Sequence, residues 1–412
     1  MNEFCMHKHI SLCPKVNSII VVISPLLAMY GIGVSTVTLL DFTILLVLCL
    51  NLFAGKNPFI NGMQKRIGLI MGMIIINLII VMYESCTMGN PDLSIAMRTF
   101  RFLWYLFFTM FCLSDDCFDA DFALRVYEFF AVFSAIYLII QFILLYSFGF
   151  SLKGYLSFLP IMREELQTYS SNLYASMYAR PRSIFAEPSQ FGIYATGYLG
   201  ISLFNGIKPK KNFEVLLIIL AMLISASSTA IMGILILTAR YIIKTIKDKP
   251  IEVLLITVVT TAGLITVLFG FESIGNRLHL IFERLPTSFA NRIEGFLEYA
   301  DRMQSFNPIE TILGIGMNTE GMTVWYSGTA KILLYWGLIG AICFSFILIK
   351  FLFLLKDTQK ETFVMFIILS LFSEVLVSNW LILFLPFVLR NLNSNKTIKQ
   401  SNCTFSKIDF EY

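Results

Sequence analysis

The chain has 412 residues, 57% hydrophobic and only 14% charged, and its mean hydropathy is +0.75. Soluble domains carry about 25% charged residues, so an ordinary soluble protein is excluded. The net charge of +4 says nothing about partners until it is resolved by membrane side. The eight cysteines lack CxxC spacing and the three histidines are His7, His9 and His279, which argues against a disulfide framework, a zinc site and a His-based metal cluster.

Met1 to Lys15 is polar and enters an apolar run with no small-residue cleavage site, so it reads as a cytoplasmic leader into an uncleaved first span. Apolar runs follow near 17–33, 36–54, 67–83, 95–113, 126–149, 189–206, 213–227, 229–245, 251–270, 332–354, 362–378 and 380–390. They predict an all-α polytopic membrane protein of about twelve transmembrane helices. The seventh, eighth and twelfth runs are short, which leaves a re-entrant pair open there. No internal repeat or low-complexity linker divides the chain, so residues 1–412 read as one integral membrane domain.

Basic residues in short loops set the orientation. Lys56, Lys65 and Arg66 follow the second run; Lys208, Lys210 and Lys211 follow the sixth; Lys244, Lys247 and Lys249 follow the eighth. Lys356 and Lys360 follow the tenth, and Lys396, Lys399 and Lys407 close the chain. Twelve spans put all of these on one side, with both termini in the cytoplasm. The acidic segment Asp115, Asp116, Asp119 and Asp121 shares that side, but acidic residues weigh little in this rule. Two long outer loops remain, about 150–188 and 271–331.

The two sides differ in the kind of cation. Inside, lysine dominates, interrupted by Arg66, Arg125, Arg240 and Arg390. Outside stand Arg163, Arg180, Arg182, Arg277, Arg284, Arg292 and Arg302, against Lys153 and the boundary residue Lys331. Topology does not favour arginine outside. Chemistry does: a guanidinium is a planar, permanent fork that binds phosphate oxygens in pairs. The outer arginines therefore point to a phosphate- or diphosphate-bearing ligand. The alternative is pairing with loop acids, as for Glu298 and Arg302, which stand at i,i+4 on the amphipathic stretch SFANRIEGFLEYADRM. Arg98 and Arg101 lie inside the fourth run, where charge is costly. Arg98 can snorkel to the outer interface; Arg101, deeper, is a candidate for a buried polar site.

The segment RPRSIFAEPSQFGIYATGYLG, ending at Gly200, resembles one in bacterial O-antigen and capsular-polysaccharide polymerases (Wzy-type) of the O-antigen polymerase/ligase superfamily. There an Arg-rich outer loop runs into F-x-E-P-S. LISASSTAIMGILIL (223–237) is similar to the family's small-polar turn between adjacent spans. ILGIGMNTEGM…AKILLYWGLIGAICF (312–344) is similar to its Gly-x-Gly loop exit and GLIG span. Arg284 is followed by ten residues and Gly295, the family's loose R-x10-G pattern; Arg180 misses that spacing by one before Gly192. Related ligases carry a His shortly before the GLIG span, where this chain has Tyr326; that favours a polymerase.

The resemblance implies a GT-C-like, metal-independent, inverting glycosyltransferase of the bacterial inner membrane that needs no cofactor. It would transfer a growing glycan from a polyprenyl (undecaprenyl) diphosphate carrier to a lipid-linked repeat unit at the outer face. Its partners would be that lipid-linked oligosaccharide and membrane lipids, with a chain-length regulator and a flippase as further candidates and no nucleic acid. Arg182 and Arg284 are the catalytic candidates for charge stabilisation, with Glu187 as general base; Glu187 also reads as a helix cap or a partner of Arg182. Arg180, Arg277, Arg292 and Arg101 are the substrate-binding candidates. His279 ranks below Glu187 as a base. The DAD segment at 119–121 lacks the surrounding soluble domain of a nucleotide site, and Ser227, Ser228 and Thr229 read as small-residue helix packing. A lipid-linked glycan ligase and, in another class, a transporter or flippase of lipid-linked oligosaccharide remain open.

Overall fold

The computed structural model describes residues 12–32, 37–55, 64–87, 93–114, 116–156, 158–161, 181–204, 212–225, 227–245, 294–317 and 326–389. Among them the chain is all-helical apart from the isolated bridges Tyr30–Ile161 and Gly31–Thr38. The helices are α1 (Leu12–Leu27), α2 (Leu39–Phe53), α3 (Gln64–Thr87), α4 (Leu93–Cys112), α5 (Ala120–Phe148), α6 (Pro188–Phe204), α7 (Asn212–Ile224) and α8 (Ser228–Thr245). Then come α9 (294–305), α10 (Pro308–Leu313), α11 (Gly328–Leu354), α12 (Asp357–Phe372) and α13 (Trp380–Leu389). The apolar run 251–270 lies outside the described residues.

Two of these helices, α5 and α11, are long and apolar enough to cross a membrane by length and composition. Both also show apolar stripes on the surface: Phe129, Phe133, Ile136, Ile140 and Ile143 on α5, and Ile339, Ile342, Phe346, Ile349 and Phe353 on α11. Spacings of three and four residues put each set on one helix face. In water such stripes would be an association liability; they are compatible with a membrane-type helical protein. α13 differs. All ten of its residues are buried, and it rises only about 15 Å at 1.5 Å per residue. It serves as a central strut, apolar on every side, packed by α1, α4 and α12.

Local chemistry sets the helix ends. α1 stops at Leu27, short of the 33 expected from hydropathy, as Met29 and Tyr30 close tighter turns onto the carbonyls of Leu26 and Leu27; Pro25 lies inside its last turn. Proline offers no N–H to the carbonyl four residues back, and the Ser24 hydroxyl takes that carbonyl, on Val21, at 2.8 Å. A capping box starts α2: Asp41 N–H donates to Thr38 Oγ1 (3.1 Å), and Thr38 N–H donates to Asp41 Oδ2 (2.8 Å). α5 begins at Asp119, whose carboxylate accepts from Phe122 N–H at 3.0 Å. One acid of the DAD segment is thus an N-cap. α12 ends at Phe372 rather than near 378, since the Ser373 carbonyl turns to accept Gly328 N–H at 3.0 Å.

The small-polar segment breaks where it was expected to, between α7 and α8. Ser225, Ser227, Ser228 and Thr229 are buried there. α8 then lies hard against α6: a Cβ built on Gly192 would stand 2.8 Å from the Ala230 backbone. Small residues let these two helices approach, the packing mode of helices in lipid.

Contacts distant in sequence show that helix ends gather at two poles. At one pole, Asn17 bonds Asn51 and the Cys117 carbonyl, Ser18 bonds Asp119, and Arg240 pairs with Glu361. At the other pole the C-terminus of α1, the N-terminus of α2, the C-terminus of α5 and the N-terminus of α6 meet through Tyr30, Thr38, Leu156 and Ser183. Lys331 at the start of α11 pairs with Glu374 beyond α12.

Candidate functional site

The segment that enters α6 is held by one buried amide. Gln141, 4% exposed on α5, accepts at Oε1 from the backbone N–H groups of Arg182 (3.2 Å) and Ser183 (2.7 Å). Its Nε2 donates to the carbonyls of Ser183 and Leu152, both at 3.1 Å. Ser183 sits at φ 60°, a left-handed conformation that costs about 1–3 kcal/mol and persists only where the surroundings over-determine it. Here they do: besides the Gln141 fork, Ser183 Oγ donates to the Ser134 carbonyl at 2.6 Å.

This turn presents Arg182 and Glu187. The Arg182 guanidinium lies 5.5 Å from the Tyr155 ring centroid, a cation–π distance, and its Nη1 donates to the Ala186 carbonyl at 3.2 Å. Burial lowers its pKa from the usual arginine value, while Tyr155 and Glu187 pull it back up. A guanidinium stays charged through such a shift. Glu187 immediately precedes Pro188, the first residue of α6, and its carbonyl accepts from Gln190 N–H at 3.1 Å. Its Oε2 accepts from Ser189 Oγ at 3.1 Å. A carboxylate at a helix N-terminus is favoured by the helix dipole. The site thus offers a fixed cation and an adjacent carboxylate on a rigid turn, a pairing suited to holding an anion beside a proton acceptor.

Arg101, a substrate-binding candidate, is engaged elsewhere. Its Nε lies 3.0 Å from Asp41 Oδ2 and 3.1 Å from Oδ1, and Tyr105 donates its hydroxyl to Asp41 Oδ1 at 2.8 Å. Asp41 therefore closes the α2 capping box and balances the arginine inside α4. The i,i+4 pair Glu298–Arg302 forms at 3.4 Å, and Tyr326 donates to Glu298 at 2.8 Å. The Tyr326 phenol is pushed up to about 12, first by burial and then by that bond. Arg180, Arg277, Arg284, Arg292 and His279 lie outside the described residues.

Gln141, Ser183 and Asp41 were not singled out from the sequence. The available signal was an amide and a carboxylate standing within apolar runs, where polar groups mark structural or functional sites. Comparisons with protein-family models, curated proteins and solved structures find no match.

Proposed function

We propose that the chain is a multi-pass protein of the bacterial cytoplasmic membrane with both termini inside, and that it polymerises lipid-linked glycan repeat units at the outer face. Arginine-rich outer loops and the F-x-E-P-S segment support this reading. The observation that carries it is the Gln141-held turn, which sets Arg182 and Glu187 side by side at the entrance to α6.

In this mechanism an acceptor hydroxyl attacks the anomeric carbon of the donor glycan from the face opposite the diphosphate. The new glycosidic C–O bond forms as the bond to the diphosphate breaks, and the leaving group departs with the electron pair. Glu187 takes the hydroxyl proton, and Arg182, with Arg284 of the second loop, stabilises the charge developing on the diphosphate. Loss of one such preorganised contact costs about 3 kcal/mol, roughly 100-fold in rate.

The test is reconstitution in liposomes with polyprenyl diphosphate-linked repeat units, resolving products by length. A ladder of longer glycans supports the proposal. Wild-type protein that incorporates and leaves the repeat units unextended refutes it.

A further inference from the structure

Four side chains from two helices and an adjoining turn converge near a break in α11. Gly337, in the middle of that helix, has φ 58° and ψ −166°. The break deprives the Leu334 and Tyr335 carbonyls of their intrahelical donors, and the N–H groups of Ile315 (2.9 Å) and Gly316 (3.0 Å) replace them. Gly314, at φ 84°, permits the approach: a Cβ there would stand 2.5 Å from the Tyr335 carbonyl oxygen. Segment 314–317 is thereby built into the helix. Among membrane proteins, non-helical backbone at membrane depth is tolerated where it is buried in protein or lines a cavity, and discontinuous helices recur at ligand sites.

Charge collects at this break. Arg98 of α4, half-buried, donates Nη1 to the Met317 carbonyl at 3.3 Å. Lys331 pairs with Glu374, and Tyr335, one turn beyond Lys331, lies within electrostatic reach of Lys331, Glu374 and Arg98. Arg98 is five residues past Leu93 and Lys331 three past Gly328, so they stand about 7.5 and 4.5 Å along their helices. The headgroup layer of a bilayer is about 5–8 Å thick on each side. Helices entering a bilayer at these N-termini would hold both cations at the depth of lipid phosphates.

We propose that Arg98, Lys331 and Tyr335 bind the phosphate of a membrane lipid at this break, with Glu374 competing for Lys331; the inference rests on the membrane reading above. Guanidinium and ammonium supply charge, the phenol supplies a hydrogen bond, and the built-in 314–317 segment fixes Arg98 through Met317. The shared chemistry is a lipid-borne phosphate. An isoprenoid diphosphate and an anionic phospholipid are its two sources.

Titration of the detergent-solubilised full chain by native mass spectrometry tests this without turnover, so it stands or falls independently of the glycan ladder. The probes are farnesyl diphosphate, phosphatidylglycerol, and the phosphate-free farnesol and diacylglycerol. Wild type should bind at least one phosphate-bearing probe tenfold or more tightly than its phosphate-free counterpart, and the tighter of the two identifies the source. Arg98→Gln and Lys331→Gln should each weaken that binding at least tenfold, while Arg240→Gln at the opposite pole leaves it unchanged. Glu374→Gln should tighten it threefold or more by releasing Lys331, which a purely structural ion pair would not do. Arg98→Lys and Lys331→Arg guard against misfolding, and should retain most of the binding at wild-type Tm. Equal binding of phosphate-bearing and phosphate-free probes, or folded Gln variants that bind like wild type, overturns the proposal.

Discussion

Replacing Gln141 by Leu removes the hydrogen-bonding groups that hold the α6 entry turn while nearly conserving side-chain volume. The amide bonds two N–H groups, of Arg182 and Ser183, and two carbonyls, of Leu152 and Ser183. A buried donor left without a partner costs about 1–3 kcal/mol, so orphaning the two N–H groups costs about 2–6 kcal/mol. Ser183 loses the bonds that hold it at φ 60°, and the turn should relax by local opening rather than by unfolding of the bundle. At 1.4 kcal/mol per decade, exchange protection of the Arg182 and Ser183 amides should fall roughly 30-fold or more. The assay is amide hydrogen exchange on the detergent-solubilised protein, with Ala195 and Leu199 inside α6 as internal references. Gln141→Glu keeps the carboxyl-type oxygen that accepts both N–H groups and should retain more protection. Unchanged protection at residues 182 and 183 in Gln141→Leu, with α6 intact, would refute the reasoning.

Arg182→Lys forfeits the Nη1 bond to Ala186, worth about 0.5–1.5 kcal/mol of stability. If the fork binds diphosphate, glycan extension should drop tenfold or more; wild-type extension rates would count against the clamp. Arg302→Lys should be nearly silent in the same assay, because its pair with Glu298 is a partly exposed one worth about 0–1 kcal/mol. Gly192→Val drives a side chain into the Ala230 backbone and should cost about 1–3 kcal/mol, read as a lower Tm, with Ala230→Gly recovering little because the clash is with main chain. Full recovery by Ala230→Gly would show that side chains, not backbones, set the α6–α8 distance. The Tyr326 phenol, raised to about 12 from 10.0, contributes stability that is complete below pH 10 and lost as pH rises through 12. Tyr326→Phe should flatten that alkaline limb, and an unchanged pH profile would remove the Glu298 bond from the account.

Hydropathy and spacing were enough for the helical class and, among the described residues, for most helix positions and the Glu298–Arg302 pair. Apolar runs long enough to form helices dictate the first, because each backbone polar group in such a run must be satisfied within its own segment. Glu298 and Arg302 were legible as a pair because residues four apart share a helix face whatever surrounds them. The break between the runs 213–227 and 229–245 was legible from the small polar residues there, whereas the capping by Asp119 emerged only with the structure. Tertiary structure alone decided which distant groups meet. Asp41 reaches Arg101 across 60 residues, Gln141 reaches Ser183 across 42, and Lys331 reaches Glu374 across 43. No spacing rule encodes those separations; they depend on which helices adjoin and on the rotation of each about its axis. The break in α11 belongs with them. GLIG reads in sequence as an uninterrupted apolar span, and Gly337 leaves helical geometry only where Ile315 and Gly316 arrive to take the carbonyls of Leu334 and Tyr335.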